Sequence, residues 1–260
     1  MHRTHSTPRT LAPALLLLLA VAAAGIVAGC GTDAVPGASV ALTLSATNAA
    51  MTSGPAGAGR MAVTVTDQGG NTIELTDFQL SMRDIKFQRD DMGLEENEIE
   101  FRGPYVVDLL EAALPVADFL GSAVVPEGVY EGIRLVMHSS PDTPAPLTER
   151  SIYLAGTVTP AGGGPAAFTF WHTANENFDI AGPNGFTMAE GALNDIVVDF
   201  KLVSIVEAVD FTDVTDGAVI APGGPHDALA DALKNAIKAA ADFGRDSNDD
   251  GVLDESEDVN

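Results

Sequence analysis

The feature that most constrains this chain is a two-residue alternation of apolar and polar side chains, repeated through most of its length and interrupted by clusters of Pro and Gly. A period of two places neighbouring side chains on opposite faces, so a segment of this kind buries one face only as a strand. Val63 and Val65 oppose Thr64 and Thr66; Ile196, Val198, Phe200 and Leu202 oppose Asp199 and Lys201. Strands are expected over 39–46, 61–66, 72–88, 99–110, 130–137, 151–159, 167–172 and 195–209. In 72–88 the apolar parity changes at Arg83-Asp84, which predicts a bulge or bend. Pro126-Glu127-Gly128, residues 141–146, residues 161–165 and Gly182-Pro183-Asn184-Gly185 carry the fixed φ of Pro or the positive φ of Gly and Asn, and are expected as turns. Strands so punctuated, without intervening helical periods, predict an all-β fold, an antiparallel β-sandwich over residues 60–222.

One segment breaks the pattern. Over 226–243, Leu229, Leu233, Ala236, Ile237, Ala240 and Phe243 recur at three and four residues, Asp227 stands in the first turn and Gly244 follows as a cap would. An amphipathic helix packed on the sandwich is expected there. Residues 223–260 are thus read as a C-terminal helix followed by a loop.

That loop carries the one motif with specific chemistry. Asp246-Ser247-Asn248-Asp249-Asp250-Gly251-Val252-Leu253-Asp254-Glu255-Ser256-Glu257 matches the pattern of EF-hand-type loops at every specified position. Calcium takes six to eight hard oxygens. Asp246, Asn248 and Asp250 at loop positions one, three and five would supply three, the Val252 carbonyl a fourth, Asp254 one more through water, and Glu257 a bidentate pair. Only Asp258, Val259 and Asn260 follow, so the loop resembles those of secreted calcium modules such as dockerins and thrombospondin type 3 repeats as much as an intracellular sensor. The expectation is one weak Ca²⁺ site, with dissociation on the order of 0.1 to 1 mM. The competing reading is a solvated acidic tail.

The other end decides the compartment. Arg3 and Arg9 precede an apolar run over 14–28, too short for a comfortable membrane span, and Val27-Ala28-Gly29-Cys30 follows. This resembles the signal and lipobox of bacterial lipoproteins, in which residues 1–29 are removed and Cys30 is lipidated. Cys30 is the single cysteine, so a disulfide within the chain is excluded and a thioether-linked lipid gives the residue a purpose. Residues 30–59, rich in Gly, Ala, Ser and Pro, are read as a tether containing a first strand at 39–46. Residue 31 is Gly, where many lipoproteins kept at the inner membrane have Asp, and by that analogy the outer membrane is expected.

Against 37 acidic residues stand 13 basic ones, for a formal charge of -24. Nucleic acid and bare anionic membrane would be repelled, so the membrane is reached through the lipid on Cys30. His138 and His172 lack ligand spacing, and the acidic stretch 90–100 reads as a hairpin tip. No nucleophile-elbow, zincin, Walker or dinucleotide pattern occurs.

Residues 75–87, Tyr105-Val106-Val107-Asp108-Leu109-Leu110 and the run from Val125 through Pro126-Glu127-Gly128-Val129-Tyr130 to Ile133-Arg134-Leu135 occur in one order. Together they resemble the bacterial lipoprotein domains grouped as domain of unknown function 4382. The resemblance implies a β-sandwich at the cell envelope and no activity. The function expected is therefore a lipid-anchored, non-enzymatic envelope protein, structural or adhesive, with one Ca²⁺ loop. The alternatives are a binder of a glycan or protein ligand, in which calcium steadies the tail, and a hydrolase, which would need a cleft joining an acid or nucleophile to a base.

Overall fold

The computed structural model describes residues 37–47, 63–89, 98–110, 123–189, 193–247, 253 and 257. The chain divides into two compact units, Met1–Ala34 and Val35–Asn260, and every described residue belongs to the second. The leader and Cys30 lie outside the described residues.

Among the described residues twelve strands and two short helices follow one another: β1 (Ala38–Thr47), β2 (Val63–Thr66), β3 (Thr72–Arg89), β4 (Glu98–Asp108), β5 (Ala123–Val125), β6 (Gly128–Met137), β7 (Ile152–Thr159), β8 (Ala166–His172), β9 (Asn177–Met188), β10 (Leu193–Lys201), α1 (Leu202–Glu207), β11 (Ala218–Ile220), α2 (Asp227–Ala239) and β12 (Ala241–Arg245). They build a four-stranded sheet, β12-β10-β1-β5, and an eight-stranded one. The spine of the larger sheet is β3, which pairs with β2 and β4 along one edge and with β7 and β6 along the other. Strands β8 and β11 continue the sheet beyond β7, and β9 continues it beyond β6. The register of β3 shifts between Met82 and Asp84, where the parity change predicted a bulge.

The all-β, sandwich-like architecture is as expected, but the sheets are mixed and not purely antiparallel. Strand β1 runs parallel to β10, and β11 runs parallel to β8. Parallel partners need long connections, and more than 140 residues separate β1 from β10 by their paired positions. Such a pairing has no local signal.

Three further expectations are corrected. The segment 195–209 is not one strand. After Lys201 the spacing of Leu202, Ile205 and Val206 is helical, and these three are the buried residues of α1. The C-terminal helix stops at Ala239, and Phe243 and Gly244 belong to β12, antiparallel to β10. Phe243 satisfies both periods, and the free edge of β10 decides between them. Gly182-Pro183-Asn184-Gly185 is not a connection between strands. It lies within β9 at a register irregularity, between Ala181 opposite Gly132 and Phe186 opposite Tyr130. Gly185 takes φ +58 there, where an added Cβ would meet Val129 and the Tyr130 carbonyl.

The sheets close on one core. Phe78 of β3 meets Phe200 of β10 edge to face, with ring centroids 6.1 Å apart, and Phe186 of β9 meets Phe243 of β12 at 5.5 Å. Leu42, Leu44, Ile196 and Val198 fill the space between them, fully buried. Helix α2 turns Ala230, Leu233 and Ile237 inward and packs on β8, β11 and α1, so helices cover the part of the large sheet's inner face that the small sheet leaves. Burial of each Leu, Ile or Phe contributes roughly 1.5–3 kcal/mol.

Candidate functional site

Strand β12 aims the C-terminal loop. On β10 and β12 the even-numbered Ile196, Val198 and Phe200 and the odd-numbered Ala241 and Phe243 face the core, so Asp195, Val197, Asp199, Lys201, Asp242 and Gly244 face the opposite side. That outer face is not open to water: Val197 and Asp199 are 1 % exposed and Asp242 is 9 % exposed. Part of the cover is the tail of the chain. A Cβ added at Gly244 would run into the Glu257 carbonyl and Leu253 Cδ1. Only glycine allows the end of the loop to lie this close to β12.

The loop's first and last positions are thereby brought together. The Asp246 amide donates to the Asp195 carbonyl at 2.9 Å, which carries the β10–β12 ladder one residue further. The next amide, of Ser247, donates to Glu257 Oε1 at 2.7 Å, and the Ser247 hydroxyl donates to the same oxygen. Asp246 is 6 % exposed and Glu257 8 %, so both of these acidic residues of the loop are withdrawn from water. Asn248, Asp250, Val252 and Asp254, the other expected ligands, lie outside the described residues. Among the described residues no group of three or more His, Cys, Asp or Glu is arranged to hold a metal ion.

More acid lies beneath. Asp199 and Asp242 are directly opposite one another on β10 and β12. Lys201 forms an ion pair with Asp242, and Ser45 of β1 donates its hydroxyl to Asp199 Oδ1 at 2.8 Å. No sequence motif marks these residues, although the alternation of Asp199 and Lys201 already sets them on one face. Gly244 and Ser247 are missed for another reason: their roles depend on where Glu257 returns, ten residues later.

The two histidines are separate structures. His138 Nδ1 lies 3.1 Å from Asn175 Oδ1, in the turn that follows β6. His172, the last residue of β8, faces α2, with Nε2 3.8 Å from Asp231 Oδ1. Burial chiefly, and then the charge of Lys234, hold its pKa below the ordinary imidazole value against the opposing pull of Asp231 and Glu176. In the acidic stretch, Glu100 is a cross-strand partner: its carboxylate lies 3.8 Å from Lys86 and 3.0 Å from Arg102. Tyr105, beside the β3 bulge, has its phenol pKa raised by burial and by the neighbouring Asp84 carboxylate.

The fold and this site define a class: an all-β, two-sheet domain with two short helices against the core, in which Leu253 and Glu257 return onto β12. Within that class, the chain belongs to the family described as domain of unknown function DUF4382, which matches residues 58–216. No curated protein matches. Among solved structures, MbnP from Methylosinus trichosporium is similar at 15% identity over 72% of this chain and 81% of that chain, with a TM-score of 0.31.

Proposed function

We propose that this protein is an exported envelope protein, anchored through lipid on Cys30 and non-enzymatic, with a structural or adhesive role and a C-terminal loop that takes one Ca²⁺. The observation that supports this is the closure of the loop by Ser247 on Glu257, which returns Glu257 to the residue next to Asp246, with both acids withdrawn from water. Burying a carboxylate costs free energy unless it is compensated, and a divalent cation held by both residues would offset that cost. Asp246, Asn248, Asp250, Asp254 and Glu257, with the Val252 carbonyl, would hold the ion. The donor set is oxygen throughout, as calcium requires.

The loop differs from a sensor in its frame. It follows β12 and not a helix, and Asp246 is tied to the neighbouring strand, so there is no helix pair to open. The role that suits this frame is a fastener, in which calcium holds the tail on the outer face of the small sheet. Calcium at ten times its dissociation constant would stabilise the domain by about 1.4 kcal/mol.

Calorimetric titration of Ca²⁺ into the chain from Gly31 onward tests the reading. One site with dissociation on the order of 0.1 to 1 mM is expected, and Glu257→Gln removes it while the far-ultraviolet spectrum stays unchanged. Equal heats from both proteins would discard the site.

A further inference from the structure

On the side of the large sheet that faces away from the core, four strands present a row of half-exposed side chains. Cross-strand registers align Asp108 of β4 with Gln79 of β3, Gln79 with Tyr153 of β7, and Tyr153 with Trp171 of β8. Their chain neighbours Val107, Phe78, Leu80, Ile152, Leu154 and Phe170 are buried, which sets the row outward. At about 4.8 Å between strands the row spans roughly 15 Å. Beside it the outward residues of β7 and β8 are Ala155, Thr157 and Thr169, so small side chains leave the strip flat.

The strip has a fixed cation at one end. The Arg150 guanidinium lies over the Trp171 ring at 5.0 Å and donates from Nη1 to the Pro146 carbonyl at 3.0 Å. Its own amide donates to the Leu147 carbonyl at 2.8 Å. The preceding residue, Glu149, sits at φ 59, the one non-glycine residue with positive φ among the described residues, and donates its amide to the Ser140 carbonyl at 2.8 Å. A non-glycine residue in that region is strained and persists where the surroundings impose it. The loop therefore delivers Arg150 already ordered. On β3, Gln79 Nε2 donates to Asp77 Oδ1 at 3.0 Å, which orients a second polar group beside the rings.

We infer that the Asp108-Gln79-Tyr153-Trp171 row, with Arg150, is a binding strip for a neutral polysaccharide chain. A sugar ring offers a C–H face and a rim of hydroxyls. The Tyr153 ring answers the first, and carboxylate, amide and guanidinium groups held in place, the last stacked on Trp171, answer the second at low entropic cost. A strip of this width accommodates an extended oligosaccharide and has no depth to enclose a small molecule. The formal charge of -24 repels polyanions, which selects uncharged glycans over acidic ones. The inference deepens the adhesive reading and rests on it for its cellular setting. It does not use the calcium loop, which lies on the outer face of the other sheet.

The test is native electrophoresis of the chain from Gly31 onward through gels containing hydroxyethylcellulose, arabinoxylan, galactomannan or polygalacturonate, with titration of Trp171 emission by the same polymers. Trp171 is the single tryptophan, so its emission reports on the strip directly. At least one neutral polymer is expected to retard the protein and to shift the emission saturably, with no retardation by polygalacturonate. Tyr153→Ala, Gln79→Ala and Trp171→Ala each weaken retardation, the aromatic changes by about tenfold, and Tyr153→Phe keeps most of it. Circular dichroism verifies that each variant is folded, and the two non-tryptophan variants decide the matter should Trp171→Ala fail to fold. Glu257→Gln is retarded like the native chain, so loss of the calcium reading and loss of this one are separable. No retardation by any neutral polymer, equal retardation of the variants, or a preference for polygalacturonate would overturn the assignment, as would a protein ligand competing for the strip where no glycan does.

Discussion

Gly244 and His172 each show a single residue carrying more than its own side chain. At Gly244, an alanine Cβ would occupy the place of a backbone carbonyl of Glu257, and backbone cannot swing aside as a flexible side chain would. Gly244→Ala is therefore expected to lift the tail from β12, at roughly 1–3 kcal/mol, and to weaken calcium binding with it. Gly164→Ala, where an added Cβ meets nothing within 4 Å, is the control, and urea denaturation of both variants measures the difference. For His172 the sign runs with pH. Its folded pKa lies below the 6.5 of the ordinary ring, so the fold favours the neutral form. The stability this contributes is present above pH 6.5 and is lost as the pH falls from there through the folded value. Between pH 7 and 5 the native chain should lose more stability than His172→Phe, and parallel curves for the two proteins would dismiss the effect. Lys234 from α2 adds to the shift, while Asp231 from α2 and Glu176 from the turn before β9 oppose it.

Among the elements, β1 shows how far the domain reaches beyond its alternating middle. It lies between β10 and β5 in the small sheet, and Val40, Leu42 and Leu44 are buried. Leu42→Ala is expected to cost about 2–5 kcal/mol through the cavity it leaves. Val124 on the adjoining β5 is 63% exposed, and Val124→Ala should change stability by no more than about 0.5 kcal/mol. Equal melting temperatures for the two variants would mean that β1 is not part of the stable unit. The same sheet explains the fate of 226–243, where a helical period runs on to Phe243 while the chain turns into β12. Thirteen residues form α2; beyond Ala240, hydrogen bonds to β10 replace those that a further turn of helix would have made. The expected antiparallel order fails at β1 and β11 for a related reason, since both find their partners through connections that no short window of sequence contains.

Over the whole molecule, 37 acids against 13 bases set a field that opposes compactness, and the outer face of the small sheet gathers Asp195, Asp199, Asp242, Asp246 and Glu257, with Lys201 paired to Asp242. Screening should relieve this repulsion without any specific site. Raising NaCl from about 0.01 to 0.5 M, across which the Debye length falls several-fold, is expected to raise the melting temperature of the native chain and of Glu257→Gln alike. Calcium heats, in contrast, should appear in the native chain alone. A salt response confined to the native chain would mean that the loop and not the overall charge governs it. The alternation, the turn residues, the bulge at Arg83-Asp84 and the spacing of the acidic loop residues were all decided by the sequence, because each is a relation among residues a few positions apart. The pairing of β1 with β10, the conversion of residues 241–245 into a strand, the row from Asp108 to Trp171 and the return of Glu257 onto Gly244 were decided only by the tertiary structure. Each joins positions that become neighbours when sheets close over a shared core, and the free energy that selects them comes from that closure rather than from local preference.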